Sequence, residues 1–391
     1  MKTAKWMRGL CLLFAVMLVF AACTGPTEES ELIGHPDDAD TEWGDMPSDD
    51  VPASPDGFLG GLDPKAVLAT IEGVPVYWEE FYFELQSARQ RIEFQEGGPI
   101  MDWSATFTTQ TVYDETLSFD EFVMLSAMDG VLDRRAVEVL FAELGESLDE
   151  DFDEDIREQF MEHNGMDEQV FEEFLRENFL TAAVFSAVNR DFVMRDMALG
   201  LLYGSFGEEA SDEAVAEVIE EQGILRAKHI LISTLDDERM PLPPMEAAAA
   251  SELARALSQE LETLEGEAQL ARFEEMLEEY GEDPGMEMEP NGYTFMPGVM
   301  IEEFTEATQA LEMYEISAPV LGMFGYHIIL RLPVQREAVV MQPGGGEWQV
   351  QAMAAQLQMQ QRMNEISSGL EQTTTPLFWM ITPSEIFAWV D

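Results

Sequence analysis

The chain has 391 residues, 46% of them hydrophobic, which is long and apolar enough for two or three folded units with cores of their own. Its 78 Asp and Glu against 20 Lys and Arg give a formal charge of −58. That charge excludes the phosphate backbone of nucleic acid as a partner, and it excludes adsorption to an anionic lipid surface through the side chains.

Lys2, Lys5 and Arg8 open the chain as a positive region, and Leu10 to Ala22 follow as an apolar run too short to span a bilayer but of signal-peptide length. The run ends in "VFAAC", which resembles a bacterial lipobox. The small Ala21 and Ala22 would admit a signal peptidase before Cys23, whose thiol would carry a diacylglyceryl group; Phe20 departs from the usual Leu. The other reading is an ordinary secretory signal with an incidental cysteine. Cys11 lies inside the signal, so the mature body has no cysteine for disulfides or thiolate metal sites. From Thr24 to Pro64 there are six prolines, many acidic residues and no Lys or Arg, the composition of an extended tether.

The runs "AVLATI" and "VPVYW" around Glu72-Gly73 predict a hairpin that passes into a helix near Trp78. Ser118 to Glu221 is dominated by apolar residues at three and four spacing, which predicts packed helices; some of these faces could line a groove for unfolded polypeptide. Asp149, Asp151, Asp153 and Asp155 alternate as in a calcium loop, but Glu154 stands where Gly is needed and Phe160 where Glu is needed, so a solvated helix start is the better reading. His35 falls in the tether and His163 at a polar helix end; both read as surface residues.

From Leu225 to Val334 the pattern becomes strand, helices, strand. Leu225, Ala227, His229 and Leu231 share one face of the first strand, and Tyr326 to Leu332 form the closing one. One histidine within an apolar strand is ordinarily a satisfied structural residue. Two, His229 in "AKHILI" and His327 in "FGYHIIL", lie on strands that bracket a helical insertion and so predict neighbours in one sheet, with Asp283 of "YGEDPG" as a partner that sets their protons. "QPGGGEW" reads as a flexible joint at Gly344 to Gly346, followed by a helix from Glu347 to Leu370.

Together "AKHILI", "YGEDPG", "NGYTFMPGVMIEEF", "LEMYEISAPV" and "FGYHIIL" resemble, in order and spacing, a parvulin-type peptidyl-prolyl isomerase of the kind found in the extracytoplasmic foldases PrsA and SurA. The resemblance implies an α+β fold: a parvulin-like domain, with an antiparallel sheet and surrounding helices, inserted into a mostly helical chaperone domain. It divides the chain into a signal peptide at 1–22, an acidic tether at 23–64, a helical chaperone domain at 65–223, the isomerase domain at 224–335, and a helix and tail at 336–391 that return to the chaperone domain.

It also implies catalytic roles for His229, Asp283 and His327, a proline-ring site at Met300 and Phe304, and Phe295 at the pocket rim. The site would need no cofactor and no metal. Gln309 stands where a pocket-wall Phe is common, and the glycine-rich loop is shortened to Asn291-Gly292. The implied partners are unfolded exported polypeptides and, through the lipid, a membrane, with a homodimer left open and no nucleic acid. Two readings compete: an isomerase, and a holdase that keeps the fold for peptide binding alone. A solute-binding lipoprotein is disfavoured by the lack of alternating strand and helix units.

Overall fold

A computed structural model describes residues 58–95, 119–236 and 238–387. The expected signal peptide, Cys23, His35 and the expected tether as far as residue 57 lie outside the described residues. In chain order the first elements are β1 (Val67–Ile71), β2 (Val74–Tyr77), α1 (Trp78–Gln95), α2 (Phe119–Glu143), α3 (Phe152–Asn164), α4 (Glu168–Glu177), α5 (Ala182–Tyr203) and α6 (Asp212–Glu221). There follow β3 (Leu225–Ser233), α7 (Pro244–Glu262), α8 (Gly266–Tyr280), a short α9 (Pro284–Met288), β4 (Tyr293–Phe295), α10 (Glu302–Ala310), β5 (Val320–Leu321) and β6 (Gly325–Leu332). The chain closes with β7 (Val339–Met341), β8 (Glu347–Gln349), α11 (Val350–Ser368), β9 (Gln372–Thr374) and α12 (Pro383–Phe387). No helix among the described residues is long and apolar enough to cross a membrane.

The chain forms two compact units, one from residues 58–198 with 361–387 and the other Leu199–Gln360. In the first, Glu72 and Gly73 both take positive φ, the geometry a two-residue hairpin turn demands, and bring β2 back antiparallel to β1. β9, from the far end of the sequence, pairs with the other side of β1. The sheet buries Leu68, Ile71 and Val76 against Trp78, Phe81 and Leu85 of α1, Val123, Ala127 and Val131 of α2, and Phe378 and Phe387 near the C-terminus. A second cluster in this unit is built by Phe152, Ile156, Phe171, Leu175 and Phe185 from α3, α4 and α5.

Residues 58–64, read from the sequence as the end of a tether, belong to the folded unit. Leu59 is 1% exposed in this core, and its carbonyl accepts a hydrogen bond from the Trp78 indole at 2.8 Å. Leu59 and Leu62 among Gly, Asp and Pro carry too little periodicity to register, so the anchoring role of Leu59 is invisible until Trp78 is placed.

The second unit is a six-stranded sheet of order β5-β6-β3-β4-β7-β8. All its pairings are antiparallel except β4 with β7. On one face Ile230, Ile232, Ile328 and Leu330 pack against Leu257 and Leu261 of α7 and Phe273 and Met276 of α8. On the other face Leu225, Ala227 and Ile329 pack against Phe295, Phe304 and Leu311. α6, β7 and the start of α11 make a third apolar cluster through Val215, Val218, Val340, Val350 and Ala354.

Two sequence readings are corrected in this unit. Gly344 to Gly346 do not form a joint: Gly344 and Gly345 take positive φ in the turn of a hairpin in which Met341 faces Glu347. The following helix therefore begins at Val350, and residues 336–360 extend the sheet unit, which also reaches back to Leu199. Three-residue strands are too short for an alternating pattern to register.

Candidate active site

β3 and β6 are neighbours inside the sheet, with His229 opposite Ile329 and Leu231 opposite His327. Directly opposed residues point to the same face, so the two histidines are diagonal neighbours on one face, within reach of long side chains. Their Nδ1 atoms are 2.9 Å apart, and the rings stack at 5.0 Å with 24° between planes. Each residue is 4% exposed.

Asp283 reaches this pair from the loop after α8. Glu282 N–H donates to the Leu231 carbonyl at 3.0 Å and its carboxylate accepts from Ser233 N–H, so the loop is tied to the end of β3. Asp283 then caps α9, its Oδ1 accepting from Gly285 N–H at 3.0 Å, which leaves Oδ2 for His229 Nε2 at 2.7 Å. Tyr293 of β4 donates its hydroxyl to the same Oδ2 at 2.9 Å.

The electrostatics follow from these contacts. The His229 hydrogen bond is the largest influence on Asp283 and, with the Gly285 and Tyr293 donors, outweighs partial burial to hold the carboxyl at about 2. Burial is the largest influence on His327, and with His229 beside it the imidazole falls to about 4, so it is neutral at pH 7. Burial and the adjacent carboxylate hold the Tyr293 phenol well above its ordinary range.

An ionised carboxylate can only accept, so His229 carries its proton on Nε2. For the neutral pair, His229 Nδ1 is then the acceptor, His327 Nδ1–H the donor, and His327 Nε2 is left as a bare acceptor. That nitrogen is buried and has no hydrogen-bond partner among the described residues. It lies under Gly322: a Cβ built there would be 3.2 Å from it and would overlap the end of the Ile301 side chain.

The Phe304 ring lies roughly perpendicular to both imidazoles, at 5.2 Å and 81° to His229 and 5.6 Å and 79° to His327. It is 3% exposed, so almost none of its ring is open. Met300 and Ile301 are half-buried beside it. Phe295 is 0% exposed and packs against Phe304 at 5.9 Å, so it backs the aromatic wall and does not form a rim. Gln309 is exposed on α10, where its carbonyl accepts from Arg331. Thus His229, His327, Asp283, Phe304 and Met300 belong to one locality, and Tyr293, Gly285, Ile301 and Gly322 join them. Among the described residues no group of His, Asp and Glu could hold a metal ion.

Residues 229–332 match the family described as the PPIC-type PPIase domain, or rotamase. The sheet unit carries a parvulin-type domain. Over 106 residues the chain is 36% identical to the chaperone SurA of Chromohalobacter salexigens, covering 27% of this chain and 21% of that protein. Over 58 residues it is 41% identical to foldase protein PrsA 4 of Bacillus cereus, covering 15% of this chain and 21% of the relative. The chain therefore spans about a fifth of the length of the curated relatives it matches. Among solved structures, the parvulin domain is similar to NmPin of Nitrosopumilus maritimus at 26% identity, with 28% of this chain and 96% of that one covered and a TM-score of 0.19. PrsA of Bacillus cereus is similar at 16% identity over 73% of this chain and 93% of that one, with a TM-score of 0.25.

Proposed function

We propose that this protein is a membrane-anchored, extracytoplasmic foldase that catalyses cis/trans isomerisation of X-Pro bonds in exported polypeptides. The observation that carries the reading is the chain Asp283–His229–His327 beside Phe304. Rotation about an X-Pro amide meets a barrier of roughly 18–20 kcal/mol because the bond is conjugated. No bond has to break, so a site accelerates the rotation by holding the twisted amide better than either planar form. Met300, Ile301 and Phe304 offer an apolar seat for the proline ring. The histidine pair, its protons directed by Asp283, supplies a fixed polar floor whose dipoles need not reorganise as the amide loses conjugation.

The anchor rests on Cys23 behind Ala21 and Ala22, and the location on the apolar leader before it. Replacing His229 or Asp283 with Ala should slow proline-limited refolding and peptide isomerisation by about 10-fold or more, the range in which positioned polar groups act. Unchanged rates in both variants would remove the site, and Cys23→Ala should release the protein from the membrane fraction.

A second reading, a holdase using the parvulin domain only to bind peptide, draws on the exposed Leu321, Met323 and Phe324 that flank Gly322 at the β5–β6 turn. Suppression of aggregation that survives His229→Ala, in a protein without isomerase activity at any stage, would favour it.

A further inference from the structure

We propose that Tyr293 is a positioning residue for the isomerase site, its hydroxyl locking the Asp283 carboxylate in the orientation that directs the protons of both histidines. The inference rests on the proposed isomerase function and names the part of the site that holds Asp283 in place.

Three observations carry it. First, Asp283 is held from three directions: Gly285 N–H takes Oδ1, while Tyr293 Oη and His229 Nε2 both donate to Oδ2, at 2.9 and 2.7 Å. Two donors on one oxygen and one on the other leave the carboxylate no freedom to rotate or to exchange its oxygens. Removing the phenol leaves Oδ2 with the imidazole alone, on a loop residue 21% exposed to competing water.

Second, the strand register aims Tyr293 at this job. β4 pairs with β3 so that Tyr293 lies opposite Ala227, on the face that His229 occupies two residues further along. The Tyr293 and His229 rings are 6.0 Å apart, close enough to share an acceptor.

Third, the position that admits the hydroxyl is glycine. A Cβ at Gly285 would overlap Tyr293 Oη outright and would come within 3.0 Å of the phenol carbon that bears it. Gly285 is therefore fitted to Tyr293, and Gly285 also supplies the amide that holds the other carboxylate oxygen. A tyrosine present only to fill the apolar cluster would need neither arrangement.

The effect passes along the floor of the site through two hydrogen bonds. Asp283 fixes the His229 tautomer, His229 fixes that of His327, and the acceptor at His327 Nε2 exists only while that order holds. Loosening Asp283 lets the pair populate the reverse tautomer, in which the buried nitrogen becomes a donor.

Tyr293→Phe keeps the ring and deletes the hydroxyl. In the full-length protein, kcat for an X-Pro peptide should fall about 3- to 10-fold with KM within twofold, as expected for one charge-assisted hydrogen bond removed from a preorganised site. The acidic limb of the pH–rate profile should move upward, because the carboxylate has lost a donor. Gly285→Ala should reproduce the loss, and the double variant should be little worse than either single one. Ring 15N NMR of the protein's four histidines gives a reading independent of activity: His229 should be Nε2-protonated in the parent and mixed in Tyr293→Phe. An unchanged kcat, pH profile and His229 tautomer would overturn the proposal. If the parent has no isomerase activity the functional reading fails by itself, and the NMR comparison still decides whether Tyr293 positions Asp283.

Discussion

Arg134 of the helical unit and His327 of the sheet unit are both 4% exposed, and both sit in hydrogen-bonded networks that include carboxylates. Arg134 of α2 gives Nη2 to Glu84 of α1, and Arg135 gives Nη2 to Glu80 at 2.9 Å. Burial works against the Arg134 charge, but Glu84 and Glu80 outweigh it and its pKa is raised; burial raises those of Glu84 and Glu80. We conclude that Arg134 stays charged against its carboxylates, so the network changes little with pH and serves to fix α1 against α2. His327 is near a group it can trade protons with, and held down to about 4 it is neutral at pH 7. An unpaired buried nitrogen is therefore not enough to mark chemistry. Arg134 Nε and Nη1 also lack hydrogen-bond partners among the described residues, yet they belong to a permanently charged clamp, whereas His327 Nε2 ends a chain whose proton order can be reversed.

The sharpest way to break this contrast is Arg134→Ala. It strands Glu84 as a buried carboxylate without its partner, and should cost about 3–5 kcal/mol in denaturant unfolding of the helical unit, while peptide isomerisation stays within twofold. Pairing Arg134→Met with Glu84→Leu should restore most of that stability, since apolar replacement of a buried ion pair is commonly neutral or better. A large drop in isomerisation from Arg134→Ala, at a temperature where the variant is folded, would show that the clamp serves more than the packing of α1 on α2.

Acid should act on the other network. His327 is held at about 4 in the fold and rises toward 6.5 when unfolded, so the unfolded chain takes up the proton first. Stability from this group is complete above pH 6.5 and declines as pH falls to 4, by about 2–3 kcal/mol. Asp283, held at about 2, contributes stability above pH 4 that is lost as pH falls further toward 2. Relief of repulsion among the many surface carboxylates opposes both trends, so the measurement is the difference between the parent and His327→Asn across pH 4 to 7. Parallel curves would show that His327 is not held neutral by the fold.

The smallest effect is expected at Gly130 of α2. A Cβ there would overlap the Glu84 carboxylate, and Gly130→Ala should cost about 1–2 kcal/mol by pushing Glu84 off Arg134, despite alanine's better helix propensity. A stabilised variant would show that the clamp has room to spare.

Sequence alone revealed the parts of this molecule whose signal is local. His229 and His327 each sit in an apolar strand, Asp283 sits in a turn motif, and the hairpin at Glu72-Gly73 and the helices after Ser118 follow from spacing. It did not reveal parts made by distant pairing. Tyr293 reads as one aromatic among several until β4 is paired with β3, and Gly285 reads as a turn glycine until the phenol is placed beside it. Glu84 and Arg134 lie 50 positions apart on helices whose polar residues would both pass for solvent-facing. The resemblance places Phe295 at the pocket rim, and only its full burial and its packing against Phe304 show that it faces inward.

β9 pairs with β1 across almost the whole length of the polypeptide, and Phe378 and Phe387 complete the core beside it. For a chain that leaves the ribosome or a translocation channel N-terminus first, this places the final stitch of the helical unit after residue 374 has emerged. All strands of the parvulin domain's sheet, by contrast, are available by residue 349. The first portion of the molecule to be synthesised is thus among the last to reach its finished form, and it must wait, with Leu68 and Ile71 still uncovered on one side, while the inserted domain can already close.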